Sequence, residues 1–358
     1  MLENIKIEDM IPSQIIEMIE KLKNALEIMK YSKQTNSKVA LFKKGKQVCP
    51  HCQSVNIIKN GHTKTKIQTY KCKDCKTRFN DLTGTVFSGT HLTYEQIEIF
   101  IQCFNDKLSL RKTAKRMNVD KNTVFLLRQK QLNSLKEIRS SVQLNGEIEA
   151  DEFYRSINLK GTKPDKMPRI SKPRTSNNGT STRGISSHKV CIASAVDEND
   201  NMFMEIAGTG PITSNMVEKI LTPKLTQIKK LITDSKSSYE KEAKSNNWNL
   251  VQVKSNCYID DAGNNLADIN ALHSGLTTFL STFRGVSTKH LQGYLDWYIY
   301  DKYLNYKVAT NLQNETILTR IMTSSTKIIT SNMYDNTSGI NFEEVYADYG
   351  YDPLSHHA

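Results

Sequence analysis

The chain has 358 residues, 38% of them hydrophobic, which is enough for two or three domains with cores of their own and excludes a disordered or fibrous polypeptide. Lys and Arg outnumber Asp and Glu by 49 to 37, for a net charge of +12; such an excess points to a polyanionic partner, nucleic acid first, although a merely basic protein has the same balance. No apolar run reaches the ~20 residues that span a bilayer, and the start, with Glu3, Glu8 and Asp9, lacks the basic-then-apolar order of a signal peptide, so a cytoplasmic protein without a membrane partner is expected.

Residues 1–45 are expected to form an N-terminal helical segment and linker, because Ile11, Ile15, Ile16, Ile19, Leu22 and Leu26 recur at helical spacing before a polar, basic stretch. In residues 46–88, Cys49-Pro50-His51-Cys52 and Cys72-Lys73-Asp74-Cys75 are separated by nineteen residues. Two tight turns that each offer a pair of thiolates match a tetrahedral zinc site, so Cys49, Cys52, Cys72 and Cys75 are the expected ligands of a structural Zn²⁺. The other three of the seven cysteines, Cys103, Cys191 and Cys257, stand alone in apolar surroundings, which favours metal over disulfides. Between the knuckles, Val55, Ile57 and Ile58 predict a strand, Asn60-Gly61 a turn and residues 67–71 the returning strand. Lys59, Lys64, Lys66, Lys71, Lys73, Lys76 and Arg78 make this ribbon basic.

Residues 91–140 read as a helix-turn-helix DNA-binding domain. Thr93-Tyr94-Glu95-Gln96 has the form of a capping box opening a helix toward Asn105. A second helix over 109–117, a short turn at 118–120 and a third helix over 121–136 follow. On this plan Lys121, Asn122, Thr123 and Arg128 would face a major groove.

Beyond residue 140 the pattern changes to short β-branched runs. A strand over 147–153 carries Asp151 and Glu152, and a basic insertion occupies 160–187. Residues 190–196 and 202–206 predict an antiparallel hairpin around 197–201, and 216–221 opens a helix. Lys230-Leu231-Ile232-Thr233 is a strand that delivers Asp234, repeating the setting of Asp151. A helix from Asp268 carries His273, Leu276, Phe279 and Leu280, Gly285 interrupts it, and a further helix runs through Leu291, Tyr294, Leu295 and Tyr298. The C-terminal extension, 306–358, ends in an acidic, aromatic tail from residue 333. Carboxylates at the ends of two strands, with a third ligand on a later helix, can converge on a pair of Mg²⁺ ions, since hard cations take oxygen ligands.

The chain resembles the DDE transposases of bacterial insertion sequences, in particular the DDH variant of the ISXO-like group. The resemblance covers about residues 45–300 and rests on the Cys knuckles, Ala150-Asp151-Glu152-Phe153-Tyr154, Arg183-Gly184-Ile185-Ser186, Leu231-Ile232-Thr233-Asp234-Ser235 followed by Tyr239, Ile269-Asn270-Ala271-Leu272-His273-Ser274, and the run 285–295. It implies an α/β fold, an RNase H-like mixed sheet flanked by helices over 145–305, preceded by a zinc β-ribbon and a helical helix-turn-helix domain. The implied activity is binding of terminal inverted repeats, metal-dependent cleavage of double-stranded DNA, and strand transfer into target DNA. Asp151, Asp234 and His273 would hold catalytic Mg²⁺ or Mn²⁺; Glu152, facing the other side of its strand, is the weaker candidate. Most members place glutamate third, yet none occurs here between Glu242 and Glu315. His273 falls at that position, as metal ligand or proton acceptor, with Asp260, Asp261 and Asp268 as rival ligands. Leu280 stands where the family carries a basic residue, so Arg284 or Lys289 would substitute. Paired DNA ends imply a homodimer or higher oligomer at the nucleoid. A non-catalytic DNA-binding regulator of the same architecture is the alternative.

Overall fold

The structure, a computed structural model, describes residues 48–158, 189–254, 259–323 and 340. The expected N-terminal helical segment, the basic insertion with its Arg183-Gly184-Ile185-Ser186 motif, Cys257 and the acidic tail lie outside the described residues. The chain divides into two units, Met1–Asp106 with Val308–Ser325, and Lys107–Lys307 with Thr326–Ala358.

In the first unit β1 (Ile57–His62), β2 (Gln68–Cys72) and β3 (Arg78–Asn80) form an antiparallel sheet in that order. The turn predicted at Asn60-Gly61 is a correction: both residues lie within β1, where the register slips between Lys59 and His62. Thr69 Oγ1 donates to the Asn60 and Gly61 carbonyls across that slip, and the chain reverses later, at Thr63, whose amide donates to the Ile67 carbonyl at 2.8 Å and whose carbonyl accepts from Lys66. Val55, predicted in the strand, precedes it and is 77% exposed. Cys49, Tyr70, Cys72 and Phe79 make up the small apolar cluster of the ribbon. The helix α1 (Tyr94–Asn105) begins at the predicted capping box, with Thr93 Oγ1 accepting from the Gln96 amide and Gln96 Oε1 from the Thr93 amide. Its buried Ile97, Phe100, Ile101 and Phe104 sit in the same unit as a helix, Gln313–Thr323, that buries Ile317, Leu318 and Ile321.

The second unit starts with α2 (Leu110–Met117), α3 (Lys121–Ser134) and α4 (Lys136–Ser141). Asn118, left-handed at φ 51°, stops α2, and Asp120 caps α3 through the Asn122 amide at 2.7 Å. A five-stranded sheet follows, built from β4 (Leu144–Ser156), β5 (Lys189–Asp197), β6 (Met202–Thr209), β7 (Leu225–Asp234) and β8 (Leu250–Val253) in the order β6-β5-β4-β7-β8. β5 runs antiparallel to β4 and β6, whereas β7 and β8 run parallel to β4. An order of third, second, first, fourth and fifth strand, with the second reversed, is the RNase H-like plan expected from the sequence.

Helices flank both faces. On one, Leu144, Ile148 and Ala150 of β4 pack with Ala193, Phe203, Leu231, Val217, Leu221 and Tyr239, the last from α5 (Ser237–Asn246). The other face is met by α6 (Ala267–Ser281) and α7 (Thr288–Lys307), which bury Ile269, Leu272, Leu276, Leu280, Leu291 and Leu295. Burial on both sides explains why β5 reads as a continuous apolar run, Val190-Cys191-Ile192-Ala193, rather than an alternating one. Gly146 has φ +76° at a bulge of β4, where a side chain would collide with Glu198, so this position requires glycine.

Candidate functional site

Two constellations carry chemistry, one in each unit. In the ribbon, Cys49 and Cys75 Sγ stand 3.6 Å apart, as do Cys52 and Cys72 Sγ, and all four sulfurs lie within 4.8 Å of one another. A tetrahedral zinc with Zn–S bonds of about 2.3 Å places its sulfurs roughly 3.8 Å apart, so these residues fit the ion. Asp74 joins the two knuckles, accepting from Ser54 Oγ at 2.5 Å and Asn56 Nδ2 at 3.0 Å. Contacts with Thr77 hold the Cys75 thiol down to about 6, while, against a backbone hydrogen bond at Ser54, the neighbouring Cys75 thiol pushes Cys52 up to about 12, so the metal-free cluster favours one thiolate and not four.

The second constellation is built from neighbouring strands. β4 and β7 are parallel with Ala150 opposite Thr233, so Asp151, within β4, and Asp234, the last residue of β7, fall side by side on neighbouring interior strands. His273 comes from α6: its Nδ1 lies 3.8 Å from Asp151 Oδ2, and its ring packs on Phe153 at 5.3 Å between centroids. Burial, opposed by Asp151 and assisted by the charge of Lys236, lowers the His273 pKa and keeps the imidazole neutral, with a lone pair open. His273 Nε2 and Asp234 Oδ1 are buried atoms without a hydrogen-bond partner. Among the described residues only the four cysteines gather their donor atoms within 4.8 Å, so the Asp151, Asp234 and His273 set is more open than a one-ion cluster.

Lys236, two residues beyond Asp234, fills the space between the carboxylates. Its Nζ contacts Asp151 Oδ1 at 3.5 Å, Asp234 Oδ2 at 2.9 Å and, most closely, Glu152 Oε2. Burial works against the ammonium, but the hydrogen bond and charge of Glu152 outweigh it and hold its pKa above the ordinary value. Glu152 points to the opposite face from Asp151, has a fully buried side chain, and accepts from Tyr239 Oη at 2.5 Å. Burial raises its pKa against the pull of Lys236. Lys236 and Tyr239 are thus functional neighbours to which sequence reasoning gave no role; the signal was their spacing after Asp234, which returns both to the Glu152 side of the sheet.

The rival third ligands are placed elsewhere. Asp260 is occupied by its own turn, accepting from the Ala262 and Asn264 amides, and Asp261 and Asp268 are exposed. Leu280 is fully buried. In the helix pair, Lys121 and Asn122 are exposed and Thr123 is half-buried at the start of α3. Arg128 is a correction: only 2% exposed, it donates to the Leu108 carbonyl at 2.6 Å and lies over the rings of Phe283 and Trp297 at 5.8 and 5.4 Å. Two turns after Lys121 and on the same side of the helix, Arg128 is buried where Lys121 is exposed, so its guanidinium stacks on aromatic faces and cannot reach a groove.

No family model matches the chain. Over 137 residues it is 33% identical to an uncharacterised protein in the transposable element ISH50 of Halobacterium salinarum; the match covers 38% of this chain, and the chain spans 43% of that relative's length. Among solved structures, the Mos1 strand transfer complex is 12% identical with a TM-score of 0.24, over 67% of this chain and 78% of that one. The mariner Mos1 paired-end complex with Mg is 11% identical with a TM-score of 0.26, over 68% and 80%. Superpositions this loose add nothing to the fold that the strand order establishes.

Proposed function

We propose that this protein is a transposase, which cleaves DNA at the ends of a mobile element and joins the freed 3′ ends to target DNA. The observation that carries the reading is the placement of Asp151 and Asp234 at neighbouring positions of adjacent parallel strands, with the His273 ring 3.8 Å from Asp151. Relatedness over part of the chain to a protein in a transposable element supports it.

The fit to divalent cations rests on three features: an ammonium already lying between the carboxylates, and two buried acceptor atoms, Asp234 Oδ1 and His273 Nε2, that nothing in the protein satisfies. Asp151, Asp234 and His273 would hold Mg²⁺ or Mn²⁺, and such ions supply activation of the attacking oxygen and stabilisation of the departing one. Asp151 and Asp234 contribute the negative charge. His273, held neutral, either ligates or accepts the proton of the attacking hydroxyl. Lys236 and Tyr239 fix Glu152 and thereby the stretch of β4 that carries Asp151. The ribbon, with structural zinc, and the exposed start of α3, with Lys121, Asn122 and Thr123, would bind the terminal inverted repeats, and two copies would pair two ends.

The test is an assay with oligonucleotides bearing the terminal repeats that flank the reading frame, run in Mg²⁺ and in Mn²⁺. Wild type should give cleaved and joined products; Asp151→Asn should bind the same DNA and give neither. Unaltered cleavage by Asp151→Asn removes the site assignment, and binding without cleavage by wild type makes the protein a regulator.

A further inference from the structure

The first turn of α6 is capped in an unusual way. A helix leaves its first amides without partners inside the helix, and a side chain at the N-cap position ordinarily satisfies them. Here that position is Leu266, which has no oxygen to offer. Asn265 Oδ1 takes the Ala267 amide at 2.8 Å, and the Asn270 amide closes the first helical bond on the Leu266 carbonyl at 3.1 Å. The Ile269 amide goes to another element: Glu149 of β4 accepts from it at 2.9 Å.

Glu149 lies on the same face of β4 as Asp151, two residues earlier, because strand side chains alternate. Ile269 lies one helical turn before His273 and on the same side of α6. One carboxylate therefore ties the strand position next to Asp151 to the helix position below His273. The helix is held independently by Tyr298 Oη, which donates to the Leu272 carbonyl at 2.9 Å.

We propose that Glu149 is a positioning residue, an N-cap supplied by the neighbouring strand that sets the distance between His273 and Asp151. This rests on the reading of Asp151, Asp234 and His273 as a metal site. Groups that orient metal ligands without touching the metal typically contribute about 10–100-fold in affinity or activity.

The test measures Mn²⁺ binding to the zinc-loaded full chain from the electron paramagnetic resonance signal of free Mn²⁺. Glu149→Ala should weaken binding about tenfold, while Glu149→Gln, whose amide oxygen still accepts from the Ile269 amide, should bind like the parent. Leu266→Asp, added to Glu149→Ala, gives α6 a cap of its own: the melting temperature should recover and the Mn²⁺ affinity should stay low. In a His273→Ala background, Glu149→Ala should cost no further affinity, because it acts through that ring. The proposal is overturned if Glu149→Ala binds Mn²⁺ normally, if Leu266→Asp restores affinity together with stability, or if the Glu149→Ala and His273→Ala losses multiply. Asp151→Asn separates the two readings: normal binding by that variant removes the metal site and this proposal with it, whereas lost binding there beside normal binding by Glu149→Ala removes this proposal alone.

Discussion

The ribbon and the sheet site differ in what occupies their centres. Four thiols face one another at about the separation that a tetrahedral zinc sets between its sulfurs, whereas the carboxylates of the sheet site close around the Lys236 ammonium. A ribbon core of Cys49, Tyr70, Cys72 and Phe79 is too small to fold unaided, so a zinc held by its thiols would be part of its folding energy. The sheet is held by a two-sided apolar core, so a metal bound there would be free to come and go.

Stripping the zinc should break the ribbon and spare the sheet. With roughly 10–16 kcal/mol of apparent zinc binding at stake in units of this kind, chelation or Cys72→Ser should make residues 48–80 susceptible to protease while the melting of the sheet unit is unchanged; a ribbon that stays resistant would erase the contrast. Lys236→Met tests the other side. It leaves the buried Glu152 carboxylate without its cation, so metal-free stability should fall by about 2–3 kcal/mol, and added Mn²⁺ should recover part of the loss, as seen in calorimetric melts with and without the ion. A melt indifferent to Mn²⁺ would mean that Lys236 is no stand-in.

The same division between structural and ligand-facing cations runs through α2 and α3. Arg128→Ala should cost about 2 kcal/mol in denaturant unfolding through lost stacking and an unsatisfied Leu108 carbonyl. Lys121→Ala should leave unfolding alone but weaken DNA binding and reduce its salt slope by about one. The smallest effect concerns His290, which burial and the neighbouring Lys289 hold down at about 4. An unfolded histidine titrates near 6.5, so the unfolded chain takes up protons first as pH falls. Stability present above pH 6.5 should thus be lost between 6.5 and about 4, by about 1–2 kcal/mol after allowance for partial exposure, and His290→Gln should flatten that part of the curve.

The metal ligands of the ribbon were legible because both members of each pair sit in one turn; the spacing is the geometry. Asp234 was legible as a strand end; Asp151, expected in the same setting, lies within β4, which runs on to Ser156 because β5 pairs with it that far, and the continuous apolar run of β5 marked a strand buried on both faces. The roles of Glu149 and Lys236 were not, because each depends on a contact between elements more than eighty residues apart. Arg128 failed for a related reason: a cation on a helix carries no mark of which face will meet the core. The Asn60-Gly61 turn failed because a three-stranded ribbon can absorb a left-handed glycine as a bulge and reverse later.

The sheet has one further property, at its β6 side. β6 hydrogen-bonds to β5 alone among the described strands, yet Gln292 of α7 lies along its outer edge, accepting from the Ile206 amide at 2.9 Å and donating to the Met204 carbonyl at 3.2 Å. The side-chain amide does there what a sixth strand's backbone would do. A passing strand from another copy finds those two groups already taken, so β-addition along this edge would have to displace Gln292 first.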